Sequence, residues 1–505
     1  AEVVSGQSTG AGNVNLNETD DVTLTEVSTA NGSVSVTAGG TVTATNVQSL
    51  TDAGANGISI TGAALEIGFV NAGEEGDASL EATTENIAMV VGGDGVAADD
   101  LTGNAATGID LTTDVNSADL EVSGTGNVFI QETDDILLAD LLTEDGNISV
   151  MNGEGDITAG SVVAAGDVVL NSMGDIDSLS DDETADISGE TVTLTAASGG
   201  IGEDSAVDVA ALVALNADTT ADDSDIVFDG IGDLPIGDIN AGQGDVVLTS
   251  TGAIDDAADD NATDIAAVAV VMTAEDGIGA KNPLELAALE IDATTASGDI
   301  VLSNATSADA SVGELTADDG GVAFTQSGGG SVTFDEVTAD GGDLSLSNAD
   351  ADIVLGEATT TGTADIEAEG SILDDGSTRT QLTAAEANLT ATNGTIGLWD
   401  SALQVGIDGT LFVAAGGVDE RGQSVTVDGT WGELLEGDDI PGDVVLNGRP
   451  QSVFDWLRVP DIFVANGIIE MQVFQEAVYI FHKEDVVIRY VGLGVTPLSD
   501  ESVME

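Results

Sequence analysis

Along most of the chain, short runs of alternating apolar and polar residues are broken by Gly, Asn or Asp. Gly32 to Val36 reads GSVSV and Gly40 to Ala44 reads GTVTA. Gly166 to Leu170 and Gly244 to Leu248 both read GDVVL, Gly298 to Leu302 reads GDIVL, and Gly342 to Leu346 reads GDLSL. A period of two in segments this short predicts β-strands with one apolar face. The punctuating residues suit turns: Gly supplies positive φ, and Asp and Asn tolerate turn geometry.

The phrase repeats. Gly12 to Val36 (GNVNLNETDDVTLTEVSTANGSVSV) aligns without a gap to Gly126 to Val150 (GNVFIQETDDILLADLLTEDGNISV), an offset of 114 residues that is a whole number of units of 19. Further along, Ile300, Val322 and Leu344 open equivalent strands at a spacing of 22 residues. Units of this length are too short for a βαβ crossover, which needs about 30 residues, or for a propeller blade, which needs about 40. They fit one rung of a parallel β-helix. A single rung cannot bury its inward apolar row. The next rung covers it and pairs its backbone about 4.8 Å further on, so about 20 rungs make a rod on the order of 100 Å long.

This pattern predicts an all-β chain with a parallel β-helix, or β-solenoid, over residues 1–430, its rungs of about 19–22 residues running from about Gly12 to about Gly429. The pattern loosens at 50–110 and 178–240, which read as rungs with extended turns. Ile265 to Met272 and Leu382 to Leu389 are candidates for short helices on the rod. Beyond residue 430 the chain changes character. Ten of its 15 aromatic residues lie at or beyond Trp399, and five of its seven basic residues at or beyond Arg421. Residues 431–505 read as a small β-rich capping or assembly module. Its hairpins are predicted around Asn466-Gly467 and between Ala477 to Phe481 and Val486 to Val491.

Composition sharpens this picture. Only 3% of residues are aromatic, against 42% apolar overall, which suits narrow aliphatic columns and argues against disorder. There are 93 acidic residues against 7 basic ones, a formal net charge of −86, and no Lys or Arg before Lys281. Such a surface repels nucleic acid and anionic lipid and attracts cations. There is no Cys for disulfide or thiolate chemistry. The longest apolar run, Ile265 to Met272, is too short to cross a bilayer. A first residue of Ala rather than Met suits a mature secreted protein.

The rungs GDVVLTSTGAID (Gly244 to Asp255) and GDIVLSN (Gly298 to Asn304) resemble those of filamentous-haemagglutinin-like bacterial surface adhesins. The resemblance covers roughly residues 12–429. It implies a right-handed parallel β-helix used in export and adhesion. The family's secretion domain carries Asn-Pro-Asn motifs, whereas the Asn-Pro of this chain is Asn282-Pro283, in mid-chain.

Candidate chemistry is sparse. Equivalent acids on adjacent rungs lie about 5 Å apart and repel by roughly 0.8 kcal/mol per pair in water. A hard cation such as Ca²⁺ would relieve this, and Asp20, Asp21, Asp134 and Asp135 are the nominated ligands. No cofactor is required. Carboxylate pairs are too common here to single out a hydrolase site. A polysaccharide lyase needs a basic residue on the helix face, where Lys281 and Arg379 are the two before Arg421. The lone His482 cannot build a triad or a His-rich metal site. The expectation is a non-enzymatic, extracellular structural protein of the cell surface or biofilm matrix, assembling head-to-tail with copies of itself. Its partners are itself and divalent cations, with no nucleic acid and no membrane insertion. Phe454, Trp456, Phe463, Phe474, Tyr479 and Phe481 are the expected assembly interface. The alternatives are a monomeric adhesin stalk for a host or glycan surface and, less favoured, a polysaccharide-active enzyme.

Overall fold

The computed structural model describes residues 2–180, 182, 184–437, 440–446 and 449–450, together with the backbone of four short strands between Phe463 and Tyr490. Contacts divide the chain into two units, Ala1–Ala288 and Leu289–Glu505. In each, the short strands of a long sheet pair in parallel with the strand one coil further along the chain, and the coils number about 21 in all. No helix occurs among the described residues. The chain is a β-solenoid.

The first unit is threaded by continuous aliphatic columns. Val22 pairs with Val42, which pairs with Leu65, then Ile87, Ile109 and Val128, so successive coils take 20, 23, 22, 22 and 19 residues. The same column continues through Ile148, Val168, Val192, Leu215 and Ile236. Every member is buried. Each such side chain contributes about 1.5–3 kcal/mol when fully removed from water, and it can be removed only by the coils on both sides. The longer coils place their extra residues in turns. Parallel coils continue across 50–110 and 178–240, with register shifts between Gly189 and Thr191 and between Leu215 and Asn216.

The second unit follows the same rule. Ile300, Val322, Leu344, Ala364, Ala387 and Leu411 form one column. Leu302, Phe324, Leu346, Ile366, Leu389 and Val413 form its neighbour. Phe324 meets Phe334 edge to face, ring centroids 5.3 Å apart, filling the interior where both are buried.

Three sequence expectations are corrected. The two proposed helices are strands. Ile265–Ala266 and Ala269–Ala274 replace the first, and Leu382–Ala384 and Glu386–Ala391 replace the second. Their apolar runs pair with neighbouring coils, as when Val246 meets Val270, so pairing overrides helix-forming Ala. Parallel pairing also passes residue 430. Gln423–Trp431 pairs with Asp443–Leu446 and with Arg449–Pro450. Finally, the two aligned repeats occupy different faces of the coil. Val14 stands in register with Val34, Ile58, Ala78, Leu101 and Ala118. Val128 stands in the column of Val22 instead. The offset of 114 residues is therefore not a whole number of turns.

The corners explain much of the acidic content. At a corner, an Asp or Asn side-chain oxygen accepts the backbone N–H of the residue one coil on. Asp135 Oδ1 accepts from Asp156 N (3.0 Å), Asp156 Oδ1 from Asp175 N (2.9 Å) and Asp175 Oδ1 from Gly200 N (2.8 Å). At another corner, Asn127 Oδ1 accepts from Asn147 N, Asn147 Oδ1 from Asp167 N, and Asp167 Oδ1 from Thr191 N. The second unit uses Asp299 to Gly321, Asp309 to Ser331 and Asp343 to Thr363 in the same way. Each relay supplies an acceptor to an N–H that would otherwise be unpaired in the turn. The Gly of the Gly-Asp phrase follows from this. A Cβ on Gly174 would overlap Asp156 Oδ1 of the coil before.

Replacing Ile148 by Ala is expected to cost about 2–5 kcal/mol locally. Backbone hydrogen exchange should accelerate in Val128–Glu132 and Val168–Ser172 and stay unchanged in the second unit. Uniform acceleration throughout both units would contradict coil-by-coil stabilisation. A Gly174→Ala chain should likewise lose protection at Asp175 N, read by the same exchange experiment.

Candidate functional site

Where inward-facing strands end, several coils on more than one face carry a side chain that donates to a turn carbonyl. Asn152 Nδ2 donates to Asp134 O (2.8 Å) and Asp156 O (3.0 Å). Ser172 Oγ donates to Gly155 O (2.7 Å), and Ser250 Oγ to Gly232 O (2.7 Å). Glu132 holds the position of Asn152 one coil earlier. It pairs in register with Thr113 on one side and Asn152 on the other. It is 3% exposed, and Thr113 is 2% exposed. Glu132 Oε1 accepts from Thr133 N (2.8 Å). Glu132 Oε2 and Thr113 Oγ1 are both buried with no hydrogen-bond partner.

Around Glu132 stand two further acids. One carboxylate oxygen from each of Asp114, Glu132 and Asp134 lies within 4.8 Å of the others. Burial raises the Glu132 carboxyl above its ordinary range, opposed by the N–H of Thr133, then by the neighbouring Thr113 hydroxyl and the N–H of Val115. Asp134 is raised too, by partial desolvation and then by the charges of Asp114 and Asp135. Beside them runs an open, polar groove lined by Asp52, Asn71, Glu74, Asp114, Asn116 and Asp134.

Of the nominated cation ligands, Asp134 belongs to this cluster. Asp21 and Asp135 are engaged as corner acceptors, with Thr41 N (3.0 Å) and Asp156 N (3.0 Å) respectively. Asp20 is exposed, and its carbonyl accepts from Gly40 N. Because the two repeats sit on different faces, their Asp-Asp pairs do not align along one column. Sequence reasoning missed Asp114 and Glu132. A signal was present for Glu132: the alternation of Val128, Ile130 and Glu132 turns the carboxylate inward.

A second buried group comprises Asp256, Asp264 and Glu285, whose carboxylate oxygens also approach within 4.8 Å. Asp256 is 2% and Asp264 3% exposed. Asp264 Oδ2 accepts from Glu285 N (2.8 Å), while Asp256 accepts from Ala258 N and Asp260 N. Burial, then the nearby charge of Asp256, pushes Asp264 up to about 8. A third group, Asp77, Asp99 and Asp100, lies nearer the surface.

Three basic residues, Lys281, Arg379 and Arg421, have described side chains, and each is engaged. Lys281 Nζ lies 3.4 Å from Asp233 and 3.5 Å from Asp255. Arg379 lies 3.4 Å from Glu357 and 3.9 Å from Asp375. Arg421 covers the Trp399 ring at 3.6 Å from its centroid, a cation–π contact. Of the expected assembly residues, Phe454, Trp456 and Phe474 lie outside the described residues, as does His482. Phe463, Tyr479 and Phe481 are described as backbone alone, in the antiparallel pairs Phe463–Ala465 with Ile468–Glu470 and Ala477–Phe481 with Val486–Tyr490. No helix among the described residues is long and apolar enough to cross a membrane.

Comparison with protein-family models, curated proteins and solved structures finds no match to this chain. The fold defines a β-solenoid repeat protein, and that is the level at which its class is fixed.

The buried acids carry a pH dependence of known sign. Asp264 binds its proton more tightly in the folded chain than at its unfolded value of 3.8. The stability it contributes is therefore complete below about pH 4 and is lost as pH rises toward 8. Between pH 5 and 8 the melting temperature of the first unit should fall more steeply in wild type than in an Asp264→Asn chain. Parallel curves would show that Asp264 ionises at its ordinary pKa.

Proposed function

We propose that this chain is a secreted structural protein of the cell surface or extracellular matrix that joins copies of itself head to tail into filaments. The observation that carries this reading is the parallel pairing of strands from coil to coil through the long sheet. A stack of parallel coils has two unlike edges, each a template for pairing. Unlike surfaces joined without closure give an open filament. Strand Glu2–Ala11 pairs with Val22–Asn31 on one edge, and among the described residues nothing pairs with the other. The outward Asp and Glu of the strands and turns repel sideways association, favouring growth along one axis. The aromatic-rich segment after residue 450 supplies the joining surface in this reading. The resemblance of the Gly244 and Gly298 rungs to filamentous-haemagglutinin-like adhesins supports the surface location and the right-handed coil.

A second reading, a monomeric adhesin stalk that binds a host or glycan surface, is favoured by the open groove beside Asp114 and Asp134, whose Asn and Asp side chains match sugar hydroxyls. Catalysis forms no part of either reading.

Negative-stain images of the purified chain should show fibres of indefinite length. A chain ending at Pro450, which keeps the last parallel pairing, should form none. Discrete particles of one length from the full chain would favour the stalk. Fibres from the shortened chain would remove the joining role of the aromatic segment.

A further inference from the structure

We propose that Asp114, Glu132 and Asp134 form a binding site for a single hard divalent cation, with Ca²⁺ as its fitting occupant. Two independent observations meet here. The first is the convergence of three carboxylate oxygens within 4.8 Å of one another, contributed by two successive coils and the turn after Glu132. The second is Glu132 itself. It is 3% exposed, and its Oε2 has no partner at hydrogen-bond distance. Leaving a buried acceptor unpaired is unfavourable, and more so for a charged group. The coil after it solves the same position with Asn152, and the next with Ser172, each donating to a turn carbonyl. An ionised Glu has nothing to donate. Its presence makes sense if something positive faces it.

The chemistry of the ligands selects the ion. All are oxygens, and the Thr113 hydroxyl, also buried and unpartnered, adds a neutral oxygen close by. Three carboxylates with an open side toward solvent suit Ca²⁺, which takes 6–8 oxygen ligands and completes its shell with water. Asp114 and Asp134 border the polar groove, which gives the ion a way in. The site shares Asp134 with the acids nominated from sequence and none of the others. It also differs in kind from diffuse screening of the charged surface. A bound ion would tie consecutive coils together at one point.

The test is calcium titration of the full chain by calorimetry at fixed ionic strength, comparing wild type with Glu132→Gln and with Asp335→Asn. Asp335 is exposed in the second unit, so its variant controls for the loss of one charge. Wild type and Asp335→Asn should each show one saturable site, and Glu132→Gln should lose at least tenfold in affinity. Melting in chelator should invert the order. Glu132→Gln should melt above wild type without calcium, because the amide can donate as Asn152 does. Added calcium should raise wild type and leave the variant unmoved. Saturable binding by Glu132→Gln equal to wild type, or only unsaturable uptake by all three chains, would overturn the site. Should Glu132→Gln fail to fold, Asp114→Asn, altered at an exposed position, reads the same site and must show the same loss.

Discussion

No coil of this protein can satisfy its own backbone. Its strands find their hydrogen-bond partners about 20 residues away, in the coils before and after, and its inward Val, Ile and Leu are covered by the same neighbours. Register therefore governs everything else. A slip of one residue would turn Val128 and Ile130 outward and Phe129 and Gln131 inward. The corner relays of Asp and Asn guard against that slip, because Asp156 can accept from Asp175 N at one register only.

The relays also change the meaning of the charge. An excess of 86 negative charges reads from composition as a coat for solubility. In the structure many of these acids hold turn N–H groups, and their carboxylates stay close to the surface where water screens their repulsion. A smaller set lies inside. Glu132, Asp186, Asp208, Asp256 and Asp264 are all buried. Burial raises Asp208 to about 6 and Asp264 to about 8.

Much of the fold was legible in the chain. The alternation in GDVVL and GDIVL marked strands, and the spacing of Ile300, Val322 and Leu344 gave a register that the structure reproduces. The two helix errors share one cause. Ile265 to Met272 and Leu382 to Leu389 are rich in Ala, whose local preference is helical, and only non-local pairing makes them strands. The candidate site was half legible. Asp134 stood out as an acid in a repeated motif, but its companion Asp114 comes from the preceding coil, and no local pattern announces that approach.

The two aligned repeats sit one face apart, and this bears on how such a chain lengthens. All faces present the same kind of edge, a short extended segment with an aliphatic inside and a Gly-Asp or Gly-Asn corner. A duplicated stretch of gene thus need not encode an integral number of revolutions to be accommodated. It can enter rotated, take up the strand positions it meets, and leave the interior sealed. Tolerance of fractional insertions removes a barrier to growth by recombination that most folds impose.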